Sequence, residues 1–227
     1  MSRATIRHPS TVVIAGPTGC GKTQFLVKLL SSETAISPSP QRIVWVYAEW
    51  QPAYEELAQR MKERKIVLSF VKDVDGDELY NYFSRNVRNL LVLDDQMESG
   101  GGAASRQGSG PASSLARFFT QGSHHRNLTV VYVVQNLFNQ DKAMRTVALN
   151  THYLFVFKNP RDKTQIRTLG SQMFPGNSQF LVDSFVDATR SDYGYLFLDS
   201  RTDTPDELQV QTDVLSDTPS IYVPVDR

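Results

Sequence analysis

The chain has 227 residues, 40% of them hydrophobic and 21% charged, and its 24 basic residues balance 24 acidic ones. This composition is typical of a folded globular protein and excludes a disordered chain. The zero net charge argues against a protein that coats nucleic acid by bulk electrostatics. A single cysteine, Cys20, excludes an internal disulfide framework and a cysteine-based zinc site. No apolar run reaches the roughly 18 residues of a membrane span, and the first one is broken at Gly16, so we expect neither a span nor a signal peptide.

The charges are unevenly distributed along the chain. Residues 117–167 contain eight basic and two acidic residues, whereas residues 200–227 contain two basic and six acidic ones. Two interpretations stay open at this point. The middle of the chain either presents a basic surface to phosphates or simply carries solvated helix faces.

Short β-branched runs alternate with helix-like segments. The pattern predicts strands at 11–15, 42–48, 66–70, 90–93, 128–134 and 153–157. It predicts helices at 22–30, 52–65, 77–85, 115–121, 142–149 and 162–171. Apolar strands without polar alternation are buried on both faces, so the predicted fold class is α/β with a mainly parallel central sheet flanked by helices.

Two segments differ from this pattern. After about residue 190 the chain changes to short apolar runs at 193–198, 208–214 and 221–225, separated by Asp, Thr and Pro. They predict a C-terminal β tail or arm over 191–227 that belongs to the same domain as the core at 1–190. Residues 99–114 are rich in Gly, Ser and Ala and have little to bury, which predicts a flexible loop.

The first predicted strand runs directly into a phosphate-binding signature. The eight residues that match G-x-x-x-x-G-K-[ST] in full are Gly16, Pro17, Thr18, Gly19, Cys20, Gly21, Lys22 and Thr23. A strand before the signature and a helix after it are the contexts that confirm it. In such a loop the backbone N–H groups surround the phosphates, the lysine reaches the β- and γ-phosphates, and the Thr hydroxyl binds Mg²⁺. Cys20 is interpreted as an incidental small residue of the loop, although its place near a helix N-terminus is one that can lower a thiol pKa and make the thiol alkylatable.

A second buried strand ends in two carboxylates, Asp94 and Asp95. This is the form of a Walker B element, in which one acid holds the metal and the other orients the attacking water. We assign Asp94 to Mg²⁺ through water and Asp95 to the water, although the sequence leaves the division of the two roles open. A phosphotransferase does not need the water-orienting group, so the pair indicates ATP hydrolysis.

Further candidates lie at strand ends and in the basic segment. Gln135 follows the strand predicted at 128–134, where an amide can contact both the γ-phosphate and the attacking water. Arg126, Arg145 and Arg161 are candidates for an arginine finger from a neighbouring subunit, which would stabilise charge on the γ-phosphate oxygens. Another strand lies between the two nucleotide motifs in sequence, which predicts a P-loop NTPase of the additional-strand catalytic-acid type.

Taken in order, these motifs resemble the FtsK-HerA superfamily and, within it, the genome-packaging ATPases of double-stranded DNA viruses, including the poxvirus-type and adintovirus-like ones. The segments that carry the resemblance are GPTGCGKT (16–23), VYAEWQPAYEEL (46–57), NLLVLDDQM (89–97), FFTQGSHHRNLTVVYVVQNLF (118–138), LNTHYLFVFKNPRDKTQI (149–166) and QMFP (172–175). The second acid, Asp95, departs from the glutamate usual in the superfamily, and the 99–114 insert has no counterpart.

The resemblance implies an ATP- and Mg²⁺-dependent motor that forms a pentameric or hexameric ring and moves double-stranded DNA, without sequence preference, into a preformed capsid. It implies that Lys22 and Thr23 bind nucleotide and metal, that Gln135 is a sensor, and that an arginine near Arg161 reaches the next subunit. A capsid vertex or portal protein would be the partner. The setting would be the cytoplasm or nucleus of an infected cell, or the virion.

Three alternatives remain at this stage. One is another ring-forming nucleic-acid translocase or helicase, although the short chain favours a compact packaging motor. The second is a nucleotide-binding assembly switch that hydrolyses little, against which the intact Lys22, Thr23, Asp94 and Asp95 count. A nucleoside monophosphate kinase is the third.

Overall fold

The structure is a computed structural model that describes residues 4–72, 74–94, 115–137, 142–161 and 164–225. Its main feature is a nine-stranded sheet. The strands of this sheet are β2 (Thr11–Ala15), β4 (Arg42–Val46), β5 (Val67–Val71), β6 (Asn89–Asp94), β7 (Leu128–Val134), β8 (Tyr153–Phe157), β9 (Tyr195–Asp199), β10 (Val210–Thr212) and β11 (Ser220–Ile221). Two further strands, β1 (Ile6–Arg7) and β3 (Ile36–Ser37), pair in parallel as a separate ribbon.

Helices connect most of the strands. They are α1 (Lys22–Ser31), α2 (Ala53–Glu63), α3 (Gly76–Tyr82), α4 (Ser123–His125), α5 (Lys142–Leu149), α6 (Thr164–Met173) and α7 (Ser178–Ala188). A π-helical segment, Phe118–Gly122, leads into α4, and a 3₁₀ turn, Asp206–Leu208, precedes β10. Within the described residues, no helix is long and apolar enough to cross a membrane.

The strand order is β11-β10-β9-β8-β2-β7-β6-β4-β5. From β8 to β5 all neighbours are parallel, whereas β9, β10 and β11 are added antiparallel to one side. The predicted α/β fold with a largely parallel central sheet is therefore confirmed. The C-terminal strands extend this sheet, and β7 lies between β2 and β6.

The sheet is buried on both faces because alternate residues of its central strands enter two different cores. Val13 and Val130 point to the side covered by α3, α6 and α7, whereas Ile14 and Val131 point to the side covered by α1 and α2. Because both faces of the central strands are buried, these strands contain almost no polar positions. Because the strands from β8 to β5 are parallel, their carboxyl ends lie along the same edge of the sheet.

The structure differs from the sequence-based prediction in a few elements. Helix α7 (Ser178–Ala188) was not predicted. The predicted helix at 115–121 contains a π-helical part, and α3 ends at Tyr82 because Phe83 has extended backbone angles. The predicted flexible loop at 99–114 lies outside the described residues.

Candidate nucleotide-binding site

The phosphate-binding signature folds into a tight loop between β2 and α1. Gly19 and Gly21 have φ angles of 81° and 96°, and Gly21 immediately precedes α1. These angles lie in the left-handed region, which residues with a Cβ rarely adopt, so the loop needs glycine at both positions. The loop thus brings the N-terminus of a ten-residue helix to the carboxyl edge of the sheet, where its partial positive charge favours an anion.

The Lys22 amine lies inside this loop. It donates hydrogen bonds to the carbonyl oxygens of Gly16 at 2.6 Å and of Pro17 at 3.0 Å. Among the described residues, the ammonium is held by these neutral carbonyls, which it can exchange for phosphate oxygens that form stronger charge-assisted hydrogen bonds. The amine is therefore placed to bind phosphate.

Asp94 ends β6 and is only 5% exposed. Its Oδ2 accepts a hydrogen bond of 2.9 Å from the hydroxyl of Tyr54, which is itself 1% exposed. Burial, with the nearby Asp94 charge, raises the pKa of Tyr54 well above its usual range, so the phenol stays protonated and remains a donor. The contact with Tyr54 was not predicted, because the two residues are 40 positions apart in the chain.

The loop and the acidic strand end face one cavity of about 770 Å³. Its lining includes the phosphate-binding loop, the first turns of α1, Asp94 and, unexpectedly, residues of the C-terminal tail. The lining residues are Thr18, Gly19, Gly21, Lys22, Thr23, Gln24, Phe25, Lys28, Gln51, Asp94, Phe157, Tyr193, Tyr195, Asp213, Leu215 and Ser216. The structure therefore brings Lys22, Thr23 and Asp94 together, as the motifs predict.

Gln135 lies beside the same loop. Strand pairing aligns Ala15 with Val134, and the Gly16 N–H donates to the Val134 carbonyl oxygen at 3.1 Å, so the next residue, Gln135, stands at the carboxyl edge. Gly16, Gln135 and Asn159 line one small crevice next to the cavity. Arg161 follows β8 at this edge and is exposed.

The other two arginine candidates lie elsewhere. Arg126 precedes β7 and therefore lies at the opposite edge of the sheet from the phosphate-binding loop. Its guanidinium stands 4.9 Å from the centre of the Tyr80 ring and donates to the Phe83 carbonyl oxygen. These contacts give Arg126 a packing role in its own chain, away from the nucleotide site. Arg145 is exposed within α5.

The structure corrects the expectation for Cys20. Burial raises the pKa of its thiol, and the charge of Lys22 only partly opposes that effect. Desolvation disfavours the thiolate more than the nearby positive charge stabilises it. The expectation of a lowered pKa was therefore wrong. Asp95, the second predicted acid of the pair, lies outside the described residues.

Comparison with known proteins shows which fold the chain has and which kinds of protein it is similar to. No protein-family model matches the chain. A stretch of 39 residues, 17% of this chain, is 54% identical to Packaging protein 1 of human adenovirus C serotype 5, and the match takes in only 8% of that protein's length.

Solved structures are similar over almost the whole chain. B204, the genome packaging NTPase of Sulfolobus turreted icosahedral virus 2, in complex with ATP-γS, aligns with a TM-score of 0.53 and 13% identity, covering 95% of this chain and 98% of B204. B204 of Sulfolobus turreted icosahedral virus, a DNA-packaging ATPase, aligns with a TM-score of 0.52 and 13% identity, covering 96% of this chain and 98% of B204. The pCW3 conjugation coupling protein TcpA aligns with a TM-score of 0.51 and 14% identity, covering 85% of this chain and 58% of TcpA. The chain thus has an α/β fold similar to that of P-loop NTPases.

Proposed function

We propose that this chain is an ATP-hydrolysing motor that translocates double-stranded viral DNA into a preformed capsid. The observation that carries the proposal is the meeting of a complete phosphate-binding loop and the buried carboxylate of Asp94 in one cavity at the carboxyl edge of the sheet. The similarity in fold to a packaging NTPase that binds ATP-γS, and the short match to an adenovirus packaging protein, support the packaging role.

The same residues fit a magnesium ion bound together with the nucleotide. Mg²⁺ in nucleotide sites is held by one or two protein oxygens, with phosphates and water supplying the rest. Thr23 and Asp94 both line the cavity, and no cluster of three or more metal-binding side chains occurs in the described parts of the chain. The ion would neutralise charge that develops on the phosphates. Lys22 would hold the β- and γ-phosphates in the geometry for attack.

Hydrolysis requires further groups around the γ-phosphate. In our proposal Asp95 polarises the attacking water and Gln135 contacts both that water and a phosphate oxygen. Arg161, exposed at the same edge, acts as the arginine finger of a neighbouring subunit. Such an arginine stabilises the charge on the transferred phosphoryl group and raises the rate of hydrolysis by several orders of magnitude.

We assign the fold to the additional-strand catalytic-acid type of P-loop NTPase, within the FtsK-HerA superfamily. The position of β7 between the loop strand β2 and the acidic strand β6 supports this assignment. We also treat residues 1–190 and the tail 191–227 as one domain, because β9 pairs with β8 along five residues.

The partners in our proposal are double-stranded DNA, further copies of the chain in a pentameric or hexameric ring, and a capsid vertex or portal protein in an infected cell. Two of the basic residues in 117–167 make contacts within their own chain. Arg117 forms an ion pair with Asp77, and the Arg126 guanidinium lies over the Tyr80 ring. The basic surface that contacts DNA phosphates is therefore assigned to Arg145, Lys158 and Arg167, which are exposed. Contacts of this kind hold DNA without reading its sequence.

The test is ATP hydrolysis by the purified chain with and without linear double-stranded DNA, together with its mass in solution. We expect DNA to stimulate hydrolysis and an ATP analogue to favour a ring. Lys22→Ala should abolish ATP binding, because it removes the charge that holds the phosphates. The matched control is Lys62→Ala, on the exposed face of α2, which should bind and hydrolyse ATP normally.

The outcomes separate the alternatives. Normal ATP binding by Lys22→Ala would contradict the nucleotide site itself. Nucleotide binding without turnover would favour the assembly switch, and stimulation by single-stranded DNA alone would favour a helicase. Turnover that depends on a nucleoside monophosphate acceptor would indicate a kinase.

A further inference from the structure

The nucleotide cavity is longer than its phosphate-binding end. Besides Gly21 and Lys22, it is lined by Phe25 and Lys28 of α1. At 1.5 Å per residue, the stretch from Gly21 to Lys28 spans roughly 10 Å along the helix. A second part of the ligand therefore has room beyond the loop, in a cavity that residues of the C-terminal tail also line.

Tyr193 lines the cavity from a tightly constrained turn between α7 and β9. The residue is 71% exposed, and its φ angle of 61° is one that bulky residues rarely adopt. The next residue, Gly194, fits closely against α7, because an added Cβ would lie 2.4 Å from the Ala188 carbonyl oxygen. The turn thus holds an exposed ring in a strained conformation at the cavity wall, and such strain clusters at ligand sites.

The position of the ring is set relative to the phosphate-binding loop. A Cβ built on Gly21 would lie 2.8 Å from Tyr193 Cδ1, so the edge of the ring lies directly against the loop. Tyr193 also lines the cavity. An aromatic face beside a phosphate-binding loop offers a stacking surface for whatever follows the phosphates.

Charge shows which end of a nucleotide this part accepts. Asp213 also lines the cavity and, with a φ angle of 54°, stands in a second left-handed position just after β10. A carboxylate repels phosphate, whereas Lys22 and the start of α1 attract it. The other lysine of the lining, Lys28, also lies on α1 and not on the tail. The neighbouring Leu215 adds an apolar wall. The tail side therefore suits the uncharged, flat part of the ligand.

We infer that Tyr193, with Asp213 and Leu215, forms a nucleobase subsite in which the Tyr193 ring stacks on the base of the bound nucleoside triphosphate. This rests on the proposed function, since it assumes a triphosphate in the loop. It also assigns the acidic C-terminal tail to substrate binding.

The test compares two ligands that share the phosphates but not the base. Binding of ATP and of inorganic tripolyphosphate, each with Mg²⁺, is measured by calorimetry for the wild-type chain, Tyr193→Ala and Tyr193→Phe. Tyr193→Ala should raise the Kd for ATP about tenfold, as expected for a lost base–aromatic stack, and leave the Kd for tripolyphosphate unchanged. Tyr193→Phe keeps the ring and should bind both ligands like the wild type. Circular dichroism confirms that the variants are folded.

Three results would overturn the subsite. The first is an unchanged Kd for ATP in Tyr193→Ala, and the second is wild-type binding of tripolyphosphate as tight as that of ATP. The third is an equal weakening of both ligands in Tyr193→Ala, which would mean that Tyr193 only supports the loop. A wild-type chain that binds neither ligand would instead refute the proposed function, and the subsite with it. The two failures are therefore distinguishable.

Discussion

At the scale of single residues, Tyr54 is the contact that orients the buried Asp94 carboxylate. Its ring stacks on Phe70 with centroids 5.1 Å apart, and it also contacts Trp45 and Trp50. This aromatic cluster fixes the direction of the hydroxyl toward Asp94 Oδ2. A carboxylate that binds a metal is commonly oriented by such a hydrogen bond, whose loss costs about 10- to 100-fold in metal affinity or activity.

We therefore expect Tyr54→Phe to raise the Mg²⁺ concentration for half-maximal ATP hydrolysis about tenfold. The aromatic packing remains, so the free energy of unfolding should fall by about 2 kcal/mol, the magnitude of a lost hydrogen bond to a charged group. The measurement is a Mg²⁺ titration of ATPase activity, with Tyr47→Phe in the same aromatic cluster as the control. An unchanged Mg²⁺ dependence in Tyr54→Phe would remove the positioning role.

Cys20 gives a prediction for pH. Because burial raises its pKa, the reactive thiolate of the folded chain forms at higher pH than in an unfolded peptide. Alkylation by iodoacetamide should therefore be slower than that of a peptide spanning residues 16–24, and its rate should rise at higher pH. Rates measured from pH 6 to 10 by mass spectrometry test this, and a midpoint below that of the peptide would contradict it.

At the scale of elements, the packing of α6 against α7 depends on a close approach at Gly170. A Cβ at this position would lie 2.6 Å from the Ser178 carbonyl oxygen, which is backbone and cannot turn away. The two helices cover one face of the sheet, where Ile166, Leu181 and Phe185 belong to the same core. The short Pro-Gly-Asn connection between the helices lets them pack at this distance.

Gly170→Ala should consequently destabilise the chain by about 2 kcal/mol, although the same change in an exposed helix is stabilising. Chemical denaturation followed by circular dichroism measures this. Ser171→Ala, exposed on the same helix, is the matched control and should change the free energy of unfolding by less than about 0.5 kcal/mol. A neutral Gly170→Ala variant would show that α6 and α7 can separate at this point without cost.

At the scale of the whole molecule, Arg161 is exposed at the carboxyl edge of the sheet, the edge that also carries the nucleotide cavity. If a ring forms, this edge is where the ATP of one subunit and the arginine of the next can meet. A subunit with Arg161→Ala keeps its own nucleotide site but lacks the arginine, whereas one with Lys22→Ala keeps the arginine but lacks the site. The two defects are then complementary in a mixed ring.

Mixtures of Arg161→Ala and Lys22→Ala subunits should therefore recover part of the ATPase activity that each variant lacks alone. The readout is hydrolysis across mixing ratios, with Lys62→Ala replacing Arg161→Ala in a parallel series as the control for dilution. Intact rings without recovery at any ratio would exclude Arg161 as an arginine acting between subunits.

How much could be predicted from the sequence depended on whether the information was local. The loop at 16–23 is one contiguous segment, and the geometry it needs is fixed by its own glycines and by the strand and helix on either side. The central strands were equally predictable, because burial on both faces leaves a continuous apolar run. These local signals were enough for the α/β fold and for the expectation that Asp94 and Lys22 lie together.

Contacts between distant segments were decided by the tertiary structure. The sheet order places Tyr193 and Asp213, which follow the loop by 170 and 190 residues, at the wall of its cavity, because β9 and β10 extend the sheet beside β8. It also separates Arg126 from the loop, since the two lie at opposite ends of parallel strands. The sequence by itself predicted which groups would bind phosphate, whereas only the strand order decided which distant side chains surround them. The physical reason is that a local motif sets its own backbone angles, but neighbours across a sheet are selected by how all the strands pack together.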